Sequence, residues 1–453
     1  MNEKLELFKK TLKDKKVSVI GIGVSNIPLI KFLCQNKAIV TACDKREKEK
    51  LENEMKTLDG YNITYKLGND YLKDLSADII FKTPGMRYDV YELECARKNG
   101  SIVTSEMEVF FGLCPCKIIA VTGSDGKTTT TTLISEILKK DGKHRIWIGG
   151  NIGNPLIGEI ENINENDIAV LELSSFQLHT MRASANVAVV TNMSPNHLDM
   201  HKDMQEYIDA KKNIYRYQSK DDILILNHDN EITDKMASEA RGKVYMFSRK
   251  EKLPKGICLE NGSIYAFSKK ILDIAKIKIP GMHNVENYMA AIAAVYDIAD
   301  ISSIEYVAEN FGGVEHRIEF VKEIDNVKYY NDSIASSPTR AIAGFHSFNQ
   351  KLIVIAGGYD KHIPFDEYGK EVKDHVKELI VMGNTAKKIK EAAKNAGMNN
   401  IHDCSDMHGA VLKARELAGP GDIVILSPAC ASFDMFKNFA QRGNVFKEEV
   451  NSL

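Results

Sequence analysis

At 453 residues, with 43% hydrophobic and 27% charged side chains, the chain exceeds what one hydrophobic core organises, and its length alone suggests about three domains. A net charge of -2 gives no electrostatic reason to expect nucleic acid or an anionic membrane as the main partner. Eight cysteines without a framework rhythm exclude a disulfide scaffold and fit reduced, partly buried thiols.

The N-terminal MNEKLELFKK has no apolar signal core, and no run approaches a membrane span, so the protein is expected in the cytoplasm. Residues 15–20, KKVSVI, read as a strand that enters Gly21-Ile22-Gly23-Val24-Ser25-Asn26. An amphipathic helix with Ile27, Leu29, Ile30 and Leu33 follows, and a second strand, AIVTACD, ends at Asp44. That is the outline of a dinucleotide-binding βαβ unit, although Asn26 stands at the third glycine position. Two readings stay open: a nicotinamide or flavin site, or a similar module holding another phosphate-bearing ligand. A further strand, ADIIFKT, stops at Thr83-Pro84-Gly85, where a turn exposes backbone amides at the sheet's carboxyl edge. This module closes near Glu106. Cys114-Pro115-Cys116 lacks other metal-ligating residues nearby and is read as neither metal nor redox site.

The central stretch runs from Lys117 to Lys140, KIIAVTGSDGKTTTTTLISEILKK. An apolar strand meets a turn with Gly123 and Gly126, and Leu133, Ile134, Ile137 and Leu138 recur at helical spacing. This order builds a phosphate cradle: loop amides and the helix N-terminus face an anion, Lys127 adds mobile charge, and the Thr128 hydroxyl is placed for Mg²⁺. Val121 stands where the first glycine of the usual longer loop would be.

Beyond it, Trp147 to Gly153 reads as a glycine-rich turn presenting Asn151. DIAVLEL at 167–173 delivers Glu172 near a strand end, where a buried carboxylate needs a salt bridge or a cation. NVAVVTN leads to His197 and Asp199, and Lys211 and Lys212 lie on a helix, YIDAKKNIY. KVYMF and SIYAF suggest an antiparallel flap. Asn284 and Asn287, three apart on the first turn of an alanine-rich helix, either face one ligand or, for Asn284, cap the helix. After Gly312-Gly313, taken as a hinge and boundary, come Glu315-His316-Arg317, the strand VKYYND with Asp332-Ser333, KLIVIAGG with Tyr359-Asp360-Lys361, and DIVILSPAC before a last helix. The repeated strand-loop-helix order argues for parallel sheets covered on both faces.

At this point the chain resembles the Mur ligases. The ordered segments are TGSDGKTT, GGNIG at 149–153, LELSSFQL at 171–178, NHLD at 196–199, AKKNIY at 210–215, GMHNVEN at 281–287, EHR at 315–317, NDS at 331–333, and LSPACASFDMFKNFAQRG at 426–443. LELSSFQL and the last segment favour the branch that adds D-glutamate. The resemblance implies an α/β chain of three domains. These are an N-terminal Rossmann-like domain at 1–107 for the UDP end of the substrate, a central P-loop ATPase-like parallel-sheet domain at 108–312, and a C-terminal Rossmann-like domain at 313–453 for the amino acid.

By the same resemblance, Val24, Ser25, Asp44, Lys45, Arg46, Thr83, Pro84 and Gly85 line the uridine and phosphate pocket, and Asn151 contacts the muramoyl substrate. Gly123, Ser124, Asp125, Gly126, Lys127, Thr128 and Thr129 form the ATP loop, with Asn284, Asn287, Arg317 and Asp332 as further nucleotide contacts. Thr128, Glu172 and His197 match Mg²⁺ ligands. Lys211 matches a lysine that carries a carbamate and helps hold a second Mg²⁺. His316 neighbours the reacting phosphate, and Lys361, Ser432 and Phe439 match D-glutamate contacts. Where many members have Asn-Asp-Ser-Lys, Ile334 follows Ser333 here, leaving Lys361, with Arg340 or Lys437 as substitutes, to hold the glutamate carboxylates.

The implied activity is ATP-dependent amide formation between UDP-N-acetylmuramoyl-L-alanine and D-glutamate, through an acyl phosphate, by a monomer. Closure about Gly312-Gly313 is expected to exclude water from the acyl phosphate. Rival readings are another Mur member or a folylpolyglutamate synthetase-like ligase, an NAD-dependent oxidoreductase using the first glycine loop, and a non-catalytic nucleotide-binding regulator.

Overall fold

The computed structural model describes residues 2–195, 200–361 and 363–453. Among them the apolar runs form three sheets. The first holds β1 (Lys16–Ile20), β2 (Ile39–Asp44), β3 (Ile63–Leu67), β4 (Ile79–Phe81) and β5 (Ile102–Thr104), parallel throughout in the order β3-β2-β1-β4-β5. The helix α1 (Asn26–Gln35) buries Leu29, Ile30 and Leu33 against it. A second helix, α2 (Glu106–Leu113), starts at a Ser105 cap whose side chain accepts from Glu108 N.

The second sheet comprises β6 (Lys117–Thr122), β7 (Ile146–Gly150), β8 (Ile168–Glu172), β9 (Val187–Val190), β10 (Ile223–Asn227), β11 (Lys243–Ser248), β12 (Ile257–Glu260), β13 (Ser263–Ala266) and β14 (Lys269–Asp273). Its order is β14-β13-β12-β11-β10-β9-β6-β8-β7, parallel from β7 to β12 and antiparallel over β12 to β14. Two expectations are corrected here. KVYMF lies in β11 and pairs parallel with β10, so only SIYAF belongs to an antiparallel meander. Trp147 to Gly150 is a strand, because alternate residues Trp147 and Gly149 face the buried side, and the turn starts only at Asn151. Helix α3 (Lys127–Asp141) follows β6, and α4 (Met204–Lys212) precedes β10.

The third sheet holds β15 (Glu319–Ile324), β16 (Val327–Asn331), β17 (Leu352–Gly357), β18 (Val376–Met382), β19 (Ile401–Asp403) and β20 (Ile423–Leu426), ordered β15-β16-β20-β17-β18-β19. All its pairs are parallel except β15 with β16. Among its helices are α6 (Pro338–Phe345), α7 (Asp366–His375) and α8 (Phe439–Ser452), and α5 (Met282–Val295) precedes them in the chain.

Two units result, one of residues 1–274 and 286–307 with the first two sheets, the other of 275–285 and 308–453 with the third. In the first unit one large apolar cluster runs from Leu5 through Phe110 to Met236, so the sheets there share packing across residue 107, and a smaller cluster of Ile20, Cys43, Leu72, Ile80, Leu93 and Ala96 packs separately on the first sheet. Gly312 and Gly313 lie within the second unit, a few residues past its junction with the first at 307/308, and Gly312 O accepts from Phe320 N at 2.8 Å. No helix among the described residues is long and apolar enough to cross a membrane.

Candidate active site

In the second sheet β6 is flanked by β8 and β9, so the loop after it opens at a carboxyl edge where ligands of open α/β sheets bind. Gly123 has φ +145°, and a Cβ there would stand 2.0 Å from Thr191 Oγ1; Gly126 has φ +77°, and its Cβ would stand 2.3 Å from Asn287 Oδ1. Only glycine fits both the backbone and the space. The strand neighbours then brace the loop. Ser124 N donates to Asn192 O at 3.0 Å, Asp125 N to Asn192 Oδ1 at 2.9 Å, and Thr191 Oγ1 to Asp125 O at 2.6 Å. Lys127 arches back over this turn, its Nζ donating to Gly123 O and Ser124 O at 3.0 and 2.9 Å. Thr128 and the buried Thr129 sit on the first turn of α3, whose free amide ends favour an anion.

The neighbouring strand end carries the expected carboxylate. Glu172 is in register with Val121 and only 1% exposed. Its Oε1 accepts from Asn151 Nδ2 at 2.8 Å, whereas Oε2 has no hydrogen-bond partner among the described residues. An unpaired buried carboxylate oxygen beside a phosphate cradle is what a bound cation would complete, so this donor set fits Mg²⁺. On α4, Lys211 is 2% exposed and donates to Thr122 Oγ1 at 3.1 Å and Gly123 O at 2.8 Å. Burial, aided by the charge of Lys127, pushes its pKa far below the ordinary lysine range against the pull of Glu172 and Asp125. That shift favours the neutral amine, the form in which lysine is a nucleophile. His197 lies outside the described residues. Asn287 accepts from Thr130 Oγ1 at 3.3 Å and so lies against the loop helix.

In the first sheet a cavity of about 560 Å³ opens beside the loop after β1. Val24, Ser25, Asp44, Lys45, Arg46, Thr83 and Gly85 line it, while the expected Pro84 does not. Asn26 explains the missing third glycine: its buried amide donates to Ile20 O at 3.0 Å and Gly21 O at 2.9 Å, tying the turn from within. Asp44 is fully engaged. Its Oδ2 accepts from Ile22 N at 2.8 Å, and Arg46 reaches Oδ1 and Oδ2 at 3.0 and 2.9 Å. Burial works to raise the Asp44 pKa, but the hydrogen bonds from Arg46 and Ile22 outweigh it and hold the carboxyl below the usual range. A carboxylate so occupied cannot take both hydroxyls of a dinucleotide ribose, which disfavours the oxidoreductase reading.

The second unit has its own cluster. His316, buried and left-handed at φ +63°, accepts at Nδ1 from Asn331 Nδ2 at 2.9 Å, and burial pushes its imidazole down toward the neutral form. Asp332 accepts from Ser427 Oγ at 3.1 Å and Ile318 N at 3.3 Å, and burial raises its carboxyl to about 7. Asn284 Nδ2 donates to Pro280 O at 2.6 Å, and Arg317 is exposed. Among the described residues, neither the cavity beside β1 nor the recess at Lys361 is lined by Lys361, Ser432 and Phe439 together. Lys361 borders a recess of about 10 Å³, Ser432 is buried, and Phe439 is 40% exposed with its ring edge-on to His316.

One group escaped the sequence reading. Arg442 is wholly buried and donates to Ser333 Oγ, Ser333 O, Cys430 O and Ala431 O at 2.8 to 3.1 Å, joining the loops after β16 and β20. Burial lowers its guanidinium to about 10. Its advance signal was the Gln441-Arg442-Gly443 that closes the last of the Mur-like segments, which named the residue without a role. Ile334 is half-buried, and both Arg340 and Lys437 are exposed.

Sequence models of the Mur ligase MurD-like N-terminal domain, the Mur ligase middle domain and the Mur ligase glutamate ligase domain match residues 15–105, 121–295 and 316–430. The UDP-N-acetylmuramoylalanine–D-glutamate ligase of Acetivibrio thermocellus is 55% identical over 465 residues, covering 100% of both chains. The protein of the same name from Clostridium kluyveri is 53% identical over 459 residues, again with 100% of each covered. Among solved structures, the UDP-N-acetylmuramate-alanine ligase of Thermotoga maritima shares the fold at TM-score 0.58 and 20% identity, covering 97% of this chain and 99% of its own.

The glycine geometry gives a direct test. Gly126→Ala should weaken binding of a fluorescent ATP analogue by about tenfold or more, because Asn287 must yield and the φ is strained. Unchanged affinity in a folded variant would remove this turn from nucleotide binding.

Proposed function

The chain belongs to the Mur ligase family, and on that premise we propose that it joins D-glutamate to the L-alanyl carboxylate of UDP-N-acetylmuramoyl-L-alanine. It is an ATP-dependent amide ligase of peptidoglycan synthesis. The observation that carries the proposal is the unpaired Oε2 of buried Glu172, in register beside the glycine loop and close to a buried lysine.

A carboxylate resists an amine because oxide is a hopeless leaving group. In the proposed sequence a carboxylate oxygen attacks the γ-phosphorus of ATP, and ADP departs with the electrons of the broken P–O bond. The D-glutamate amine then attacks the acyl carbon, loses a proton, and phosphate leaves with the C–O electron pair. This chain's residues supply the electrostatics. Lys127 turns its ammonium from Gly123 O and Ser124 O toward the phosphoryl oxygens, and the loop amides hold the same oxygens. Mg²⁺, held by Thr128, Glu172 and the Lys211 side of the site, would offset repulsion between the two anions.

Asn151 fixes one Glu172 oxygen so that the other stays directed into the site. A neutral Lys211 amine would add to carbon dioxide with loss of a proton, and the carbamate so formed would give the site an anionic group able to help hold a second Mg²⁺. Burial shifts His316 toward its neutral form, which suits it to offering a hydrogen bond rather than a fixed charge. The cavity beside β1 takes the uridine diphosphate end, with Arg46 already oriented by Asp44 and Glu54. Lys361, Ser432 and Phe439 receive D-glutamate. ATP and a nucleotide sugar are cytoplasmic reactants, which places the proposed reaction there.

Phosphate release should require ATP, UDP-N-acetylmuramoyl-L-alanine and D-glutamate together, and an equal rate with L-glutamate or meso-diaminopimelate would reassign the amino acid. Lys211→Ala should lose about 10²-fold or more in turnover and recover part of it with added short-chain carboxylic acids. Full activity in that variant would eliminate the carbamate from the account.

A further inference from the structure

Among the described residues, two places gather two imidazoles and a carboxylate closely enough to share one ion. They differ in what already holds the carboxylate. At Glu206 the guanidinium of Arg87 spans both oxygens, 3.0 Å from Oε1 and 3.2 Å from Oε2, and Lys202 N adds a bond of 2.7 Å. A cation is in place there, and the imidazoles stand farther off, His179 Nε2 at 3.7 Å from Oε1 and His201 Nδ1 at 3.5 Å from Oε2. Glu371 is different. Among the described residues, the basic groups paired with its carboxylate are the two imidazoles of His346 and His375 alone.

The backbone sets this second cluster firmly. His346 is the C-cap of α6, its N–H bonded to Ile342 O at 3.2 Å. Glu371 and His375 stand four residues apart on α7, so both leave one face of that helix. Both imidazoles aim Nε2 at the same oxygen: His346 Nε2 lies 2.9 Å and His375 Nε2 3.4 Å from Glu371 Oε2. Ligand atoms of a tetrahedral Zn²⁺ with bonds of about 2.0–2.1 Å stand about 3.3 Å apart. One separation matches that edge, and the other needs to open by a few tenths of an ångström. All three side chains are partly exposed, leaving a coordination position for water.

We propose that His346, Glu371 and His375 form a surface site for a borderline divalent transition metal, Zn²⁺ in the first instance, that clasps α6 to α7. Two imidazoles and one carboxylate select such ions over Mg²⁺, which takes oxygen ligands. The clasp joins the helix that follows Asp332 and Ser333 to the helix that follows Lys361, so a bound ion would fix the spacing of the elements carrying both loops. The inference stands apart from the ligase reading, since it rests on this cluster alone.

The test is Zn²⁺ titration by calorimetry of the full chain, stripped of transition metals and kept in excess Mg²⁺, against His346→Ala/His375→Ala and Glu371→Gln. The parent should bind one more equivalent than the double variant and unfold at a higher temperature with Zn²⁺, while Glu371→Gln should bind at least about tenfold more weakly. Matching unfolding temperatures without metal would establish that the variants fold. The proposal is overturned if parent and double variant give superimposable isotherms, or if the parent takes up no Zn²⁺.

Discussion

A charge problem organises the centre of this molecule. Glu172 brings a carboxylate to the end of an interior strand with one oxygen bonded to Asn151 and the other to nothing described, and Lys211 brings an amine into the same dry region. Leaving a charged group so poorly compensated costs several kcal/mol in the free protein. The chain answers in two ways. Burial shifts Lys211 toward its neutral form, and Glu172 keeps one oxygen without a described hydrogen bond, which suits it to a cation carrying phosphate. A site strained in this sense when free is complementary to a charged complex when loaded, which is where binding energy is useful to catalysis.

The same placement rule recurs in all three sheets. In each, the order of strands reverses next to the first strand of a βα unit, and the loops at those carboxyl ends carry the candidate groups: Gly21 to Ser25 with Thr83, Gly123 to Lys127 with Glu172, and Asn331 to Ser333 with Ser427 to Ser432. What differs is the fixing device. Asn26 ties the first loop through two carbonyls, Thr191 and Asn192 brace the second, and the Arg442 guanidinium joins two loops of the third. Rigid loops on parallel strands hold reactants in line, and an amide ligase needs that positioning because both of its bond-forming steps join separately bound molecules.

Much of this was legible in the residues because the signals are local. A glycine turn between an apolar strand and a helical pattern needs no tertiary knowledge, and the single glutamate in DIAVLEL stands out against its neighbours. Elements with weak alternation were lost. β3 is half-exposed along most of its length, so its pattern carries little contrast, and β7 hides its strand character in glycines. The direction of β11 was misread because strand sequence does not encode which neighbour it meets. Arg442 was missed for the same reason, since its partners come from segments far away in the chain. The amino-acid pocket was the least legible, as Ile334 removes the cation by which the family pattern would mark it.

The central claim is that the acid becomes reactive by receiving a phosphoryl group from ATP at the glycine loop. It is tested most directly with UDP-N-acetylmuramoyl-L-alanine carrying ¹⁸O in the alanyl carboxylate. If an acyl phosphate forms and the D-glutamate amine displaces phosphate, each inorganic phosphate released must carry one ¹⁸O from the substrate. Phosphate free of label, with amide product still formed, would contradict the account.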